Sequence, residues 1–203
     1  MTTAHPSDSP RSILQPQTDS RPSRVSLRPA VPGDAGLLRD WRGQPSVRQF
    51  QPLGEASLGH LGAELVRQRM SNLYHGQGDK FQWIVRCDEQ PAGWLTLVIT
   101  NWDHGLAEIG YALSTPFQKR GIMVQALHLL LADLFLNSPL ERIEARCDTR
   151  NYASQRVLQK VGFRQEGCLR GYFILDDERV DNYLYAILRS DHLPAGPVES
   201  SDS

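Results

Sequence analysis

The chain predicts a single α/β (α+β) domain with a central mixed, mostly antiparallel sheet flanked by helices, and three observations predict it. Runs of strand character over 81–87, 93–100 and 106–113 follow one another with only short turns between them, the pattern of an antiparallel meander. An apolar-periodic helix after Gly121, a strand over 143–147 and a second helix from Asn151 come next, which supplies helices to cover the sheet. A hairpin over 172–175 and 180–188, turning at Asp176-Asp177-Glu178, closes the domain.

Taken in order, residues 25–28 alternate as a first strand, and Pro32-Gly33-Asp34 starts a helix through Leu37, Leu38 and Trp41, with Asp34 as its expected cap. From Ser57, the apolar positions Leu58, Leu61, Leu65, Met70 and Leu73 indicate another helix, ended by His75-Gly76-Gln77-Gly78. The meander turns at Asp88-Glu89-Gln90-Pro91 and at Trp102-Asp103-His104-Gly105. The helix after Gly121 carries Val124, Leu127, Leu130, Leu131, Leu134 and Phe135 on one stripe and stops before Pro139, because proline disfavours helix in the residue preceding it. In the next strand Ile143, Ala145 and Cys147 alternate with Glu144, Arg146 and Asp148, and Gly162 ends the Asn151 helix.

At 203 residues and 40% hydrophobic content the chain suffices for one core and is short for two. The expected domain is 25–190, between a Pro/Ser-rich leader over 1–24 and a polar tail over 191–203, both of disordered composition. A net charge of -1 gives no footprint for nucleic acid or an anionic membrane, and neither is expected as a partner. Three cysteines without C-x-x-C spacing, Cys87, Cys147 and Cys168, argue against a disulfide framework and a zinc site. The six histidines show no paired ligand spacing, so no metal is expected. With no apolar run of membrane-spanning length and no apolar core of a secretory signal near the start, the expected location is cytoplasmic.

The most informative segment is Gln118-Lys119-Arg120-Gly121-Ile122-Met123, between a strand and a helix. A helix opening there presents unpaired backbone N–H groups at the positive end of its dipole, a site for a pyrophosphate, and Lys119 and Arg120 add charge. A second constellation, Asn151-Tyr152-Ala153-Ser154 followed by Gly162-Phe163, has a polar helix start and a Gly-Phe exit. Neither G-x-x-x-x-G-K-[ST] nor G-x-G-x-x-G is present, which removes the common nucleotide-binding readings.

Together these segments resemble the GNAT acetyltransferase superfamily, whose cofactor motif Gln/Arg-x-x-Gly-x-Gly/Ala matches at Gln118 and Gly121 and departs at Met123. Asn151, Ser154, Gly162, Phe163, Glu166, Gly167, Arg170, Asp181, Leu184 and Tyr185 resemble the C-terminal signature of its RimJ/RimL-type branch. The resemblance implies acetyl-CoA as co-substrate, bound by Ala112, Leu113, Gln118, Lys119, Arg120, Gly121, Ile122, Met123, Asn151 and Ser154. It further implies that the 108–113 strand bulges and splays from its neighbour, freeing backbone groups for the pantetheine arm.

Transfer of acetyl to an amine needs a neutral nucleophile, a stabilised oxyanion and a proton for the departing thiolate. In the resemblance Glu108 takes the role of general base, against the competing reading of an exposed edge glutamate or a structural ion pair, and Asp103, His104 and Glu166 are weaker choices. The resemblance gives Ser154 the role of acid or hydrogen-bond donor to sulfur, since the matching Ser of RimL-like enzymes lies close to the cofactor sulfur, whereas the position of the general-acid tyrosine of many GNAT enzymes is Leu158 here. The expected activity is N-acetylation of a primary amine, a protein N-terminal α-amine or a small molecule, by direct attack in a ternary complex. An inactive acyl-CoA-binding sensor is the alternative, and a homodimer is left open.

Overall fold

The computed structural model describes residues 23–192. The expected leader and tail lie outside the described residues, except at Ser23, Arg24, Asp191 and His192. Seven strands form one sheet in the order β1-β2-β3-β4-β5-β7-β6. They are β1 (Val25–Pro29), β2 (Lys80–Cys87), β3 (Gln90–Asn101), β4 (Leu106–Leu113), β5 (Arg142–Asp148), β6 (Arg164–Leu175) and β7 (Glu178–Leu188). Every neighbouring pair is antiparallel except β4 and β5, which run parallel and are therefore joined by a crossover. The helices are α1 (Ala35–Arg42), α2 (Pro45–Arg48), α3 (Leu58–Arg69), α4 (Ile122–Asn137), α5 (Tyr152–Val161) and α6 (Arg189–His192).

Alternation along the strands sorts side chains between two cores. Phe81, Trp83 and Val85 of β2, Ile109 of β4, and Ile143 and Ala145 of β5 pack with Leu127, Leu130, Leu134 and Phe135 of α4 and Leu158 of α5. Ile84 and Trp94 face the other way, against Leu38 and Trp41 of α1 and Leu61 and Leu65 of α3. There Trp41 stacks on Trp94 with ring centroids 6.2 Å apart, within the range of favourable aromatic pairs.

Several elements differ from their sequence expectation. Asp34 occupies the N-cap position of α1, but its side chain makes no capping hydrogen bond there. Its carboxylate accepts from Val31 N at 2.8 Å and from both Nη atoms of Arg28 at 2.7 Å, so it clasps β1 to the turn before α1. The Ser57 helix ends at Arg69, and Leu73 belongs to a separate 3-10 turn. β6 begins at Arg164, well before the expected 172. Its period is broken where residues 170–172 face only Asp181 of β7, so local pattern underreports a strand that pairing sustains.

Candidate active site

The sheet comes apart at its one parallel junction. β4 and β5 pair only over Leu106–Glu108 and Arg142–Glu144. Past Glu108 the two strands diverge, as the resemblance implied. The register between β3 and β4 is continuous from Leu113 to Ala107, and the irregularity falls on β3 between Ile99 and Asn101. The expected bulge within 108–113 is therefore corrected: the extra residue, Thr100, lies on the neighbouring strand.

The freed edge of β4 is held open by two side-chain amides. Gln51 Nε2 donates to Tyr111 O and Gln118 Nε2 to Leu113 O, each at 3.0 Å. In an antiparallel ladder a residue's N–H and C=O point to the same side, so the Tyr111 and Leu113 N–H groups also face the gap. Ser114 pins the strand end, its N and Oγ donating to Ala92 O at 2.8 and 3.1 Å. Gly93 allows this approach of β3 to β4: a Cβ there would lie 2.2 Å from Ala112 O.

Beyond Ser114 the chain turns through Lys119 (φ 61°) and Gly121 (φ 73°) into α4. No atom lies within 4 Å of a Cβ built on Gly121, so its left-handed backbone, not crowding, calls for glycine. The first intrahelical bond runs from Gln125 N to Gly121 O at 3.2 Å, which leaves the N–H groups of Ile122, Met123 and Val124 without helical acceptors. The Ile122 and Met123 side chains are buried in the core.

A cleft of ≈ 570 Å³ joins these features. Ala112, Leu113, Gln118, Lys119, Gly121, Ile122 and Met123 line it from the β4–α4 side, and Asn151 and Ser154 from α5. Of the expected cofactor contacts Arg120 alone is elsewhere. Its guanidinium lies 5.7 Å from the Phe117 ring centroid, donates to Ser23 Oγ at 3.0 Å and lies 3.8 Å from Cys87 Sγ. Positive charge in the cleft comes instead from Lys119, Arg156 and Lys160. The last two went unassigned in the sequence, although their i, i+4 spacing on a helix opening at Asn151 marks one face. The donor set suits a phosphorylated, amide-bearing ligand such as acetyl-CoA: helix N–H groups and cations at one end, strand-edge N–H groups at the other.

Asn151 caps α5, its Oδ1 accepting from Ser154 N at 3.0 Å. Ser154 Oγ lies 2.8 Å from the hydroxyl of Tyr111, which crosses from β4 exactly where β5 has withdrawn. Burial pushes the Tyr111 phenol well above its ordinary value. Cys147 is a buried free thiol, pushed up to about 11, first by burial and then by Asp148. Leu158 is wholly buried.

Glu108 lies on the other face of the sheet, one residue out of phase with Ile109 and Tyr111, and does not line the cleft. Its carboxylate accepts from Arg146 Nη1. Arg146 also reaches Glu144 at 3.2 Å and lies 5.4 Å from the centroid of Tyr172. Glu166 is engaged with Arg142, with Nη1 at 2.9 Å from Oε1. Asp103 and His104 are exposed in the β3–β4 turn. Among the described residues no group of three or more acidic, His or Cys side chains is arranged for a metal. No helix among them is long and apolar enough to cross a membrane.

A parallel junction that splits beside a helix N-terminus, lined by cations and strand-edge N–H groups, is a site for an elongated phosphorylated ligand. The chain belongs to the GNAT acetyltransferases, since the acetyltransferase (GNAT) domain model matches residues 24–164. It is 24% identical over 177 residues to the ribosomal protein uS5-alanine N-acetyltransferase of Escherichia coli (strain K12), covering 84% of this chain and 91% of that one. It resembles the structure of Mycobacterium smegmatis RimJ in complex with CoA-disulfide, with 28% identity, 85% of each chain covered and a TM-score of 0.72. The spermidine N-acetyltransferase of Vibrio cholerae in complex with CoA and spermine shares the fold, with a TM-score of 0.72 at 19% identity over 83% of this chain and 97% of that one. The protein is an acetyl-CoA-dependent N-acetyltransferase.

Proposed function

We propose that the protein acetylates a primary amine by direct attack in a ternary complex, with Glu108 as general base and Ser154 as hydrogen-bond donor to the leaving sulfur. The observation that carries this reading is the placement of the two residues on opposite faces of the sheet at the junction where β4 and β5 part. Acetyl-CoA supplies an activated acetyl group and a thiolate leaving group. Lys119, Arg156, Lys160 and the α4 N–H groups hold its phosphates, and the β4 edge N–H groups hold the pantetheine arm.

On the acceptor face Glu108 removes the amine proton while Arg146 keeps the carboxylate in place. The ion-pair reading of Glu108 and its role as base are thus compatible. An α-amine has a reference pKa near 7.7–8.0 against 10.4 for lysine, so a larger fraction is neutral and nucleophilic near pH 7. Protein N-termini and small amines both meet this requirement when their amine is activated by the site.

The test is thiol release from acetyl-CoA with pooled free-α-amine peptides and polyamines, for the wild type and Glu108→Gln. Amine-dependent release lost in the variant, with acetyl-CoA binding retained, is the expected result. Amine-dependent release retained in Glu108→Gln would overturn Glu108 as the base.

A further inference from the structure

Tyr111 sits at the centre of the split. It is three residues beyond Glu108, the last β4 position paired with β5, and its side chain points to the α5 side. Its hydroxyl has two acceptors at hand, Ser154 Oγ at 2.8 Å and Ser154 O at 3.4 Å. A serine hydroxyl has one hydrogen and can also accept. When Tyr111 donates, the Ser154 hydrogen is free for another partner, and both residues line the cleft. When Ser154 donates instead, it has nothing left to offer sulfur.

We propose that Tyr111 is a positioning residue for the leaving group: its hydroxyl donates to Ser154 Oγ and turns the Ser154 O–H towards the coenzyme A thiolate. The inference rests on the proposed role of Ser154 and deepens it. As the amine nitrogen bonds to the acetyl carbon, the carbon–sulfur bond breaks and its electron pair leaves on sulfur. The amine proton goes to Glu108. The thiolate stays hydrogen-bonded to Ser154 and takes a proton from water after transfer, so neither hydroxyl has to ionise.

The surroundings keep the phenol protonated. Tyr111 and Tyr185 are pushed up mainly by burial, and Cys147 is pushed up to about 11 by the same cause. All three stay neutral while an ordinary thiol, near 8.5, ionises. Tyr183 packs beside Tyr185, Asp148 follows Cys147 and pairs with Arg150, and Lys119, Arg156 and Lys160 line the cleft. A neutral phenol keeps its hydrogen to donate, and both oxygens of Ser154 stand within reach of it.

The experiment compares coenzyme A with desulfo-coenzyme A by calorimetry at about pH 7 and about pH 9, in the wild type, Tyr111→Phe, Ser154→Ala and the double variant. The wild type is expected to prefer coenzyme A increasingly as the thiol ionises, and Tyr111→Phe to reduce that gain about fivefold, the scale of one hydrogen bond. Ser154→Ala abolishes the gain and the double variant adds nothing, while desulfo-coenzyme A binding stays within about twofold throughout. A full gain retained in Tyr111→Phe overturns the inference, as does an equal loss of affinity for both ligands. A wild type that binds both ligands without any gain overturns it and leaves the transferase reading standing. Failure of the wild type to bind either ligand overturns both.

Discussion

Glu108 and Arg146 are ion-paired across the point where β4 and β5 part. Glu108 is the last β4 residue in register with β5, and Arg146 is two residues beyond its partner Glu144. The guanidinium also lies against Tyr172, which the irregular stretch 170–172 of β6 brings over it. A carboxylate so held keeps one orientation towards the acceptor face, which is what a base in a fixed geometry needs.

Removing the base should lower kcat by about 10²–10⁴-fold in Glu108→Gln. Arg146→Gln should lower kcat by roughly tenfold and leave acetyl-CoA affinity within about twofold, and the double variant should be no slower than Glu108→Gln, because the two act as a unit. Steady-state kinetics with calorimetry check this. Additive losses would mean that Arg146 serves something other than Glu108.

The cleft separates two adjacent basic residues by their function. Lys119→Ala, Arg156→Ala and Lys160→Ala should each weaken acetyl-CoA binding roughly five- to tenfold, at about 1–1.5 kcal/mol per charged contact, and less so in high salt. Arg120→Ala should change it less than about twofold, since its guanidinium is on Phe117 and Ser23. Binding titrations at low and high salt decide this, and a loss in Arg120→Ala equal to that in Lys119→Ala would contradict it.

Gly93→Ala should destabilise the fold by about 1–3 kcal/mol and weaken acetyl-CoA binding together. The added methyl meets Ala112 O and the Leu113 backbone, the strand that forms the cleft wall. Thermal unfolding and calorimetry on the same sample measure both. An unchanged affinity in a destabilised variant would separate the β3–β4 contact from the site.

The clasp at Asp34 carries an acid dependence. Bidentate donation from Arg28, the largest influence, and the Val31 N–H together hold this buried carboxylate below its ordinary range, against the opposing effect of burial. The unfolded chain, near 3.9, then binds the proton more readily than the folded one, so the stabilisation is present above about pH 4 and lost as pH falls through the depressed folded value. Asp34→Asn should cost about 1–2 kcal/mol at neutral pH, because Arg28 is more than a third exposed and solvent screens the pair, and should flatten the acid limb of melting temperature against pH. An acid limb as steep as that of the wild type would rule the clasp out as its source.

The strand edge at Tyr111 and the cations of α5 show where sequence reading stopped. The odd positions of β4 could be assigned to one face by period alone, and Asn151 was legible as a cap because Asn is favoured there whatever the function. That Tyr111 meets Ser154, that Arg120 turns out of the cleft and that Glu108 is gripped by Arg146 depend on residues 38 to 97 positions away, none of them visible to local pattern.

The alternating strands, the α4 stripe and the segment 118–123 were determined by the sequence itself, because backbone periodicity and unpaired helix N–H groups are local properties. The site was decided only by tertiary structure. Parallel pairing of β4 with β5 ends after Glu108, and side-chain amides from Gln51, distant in sequence, and from the nearby Gln118 cover the carbonyls of the open edge. Those contacts keep the edge of β4 as one side of a cleft that holds the serine and the tyrosine, while the carboxylate stands on the opposite face of the sheet beside Arg146.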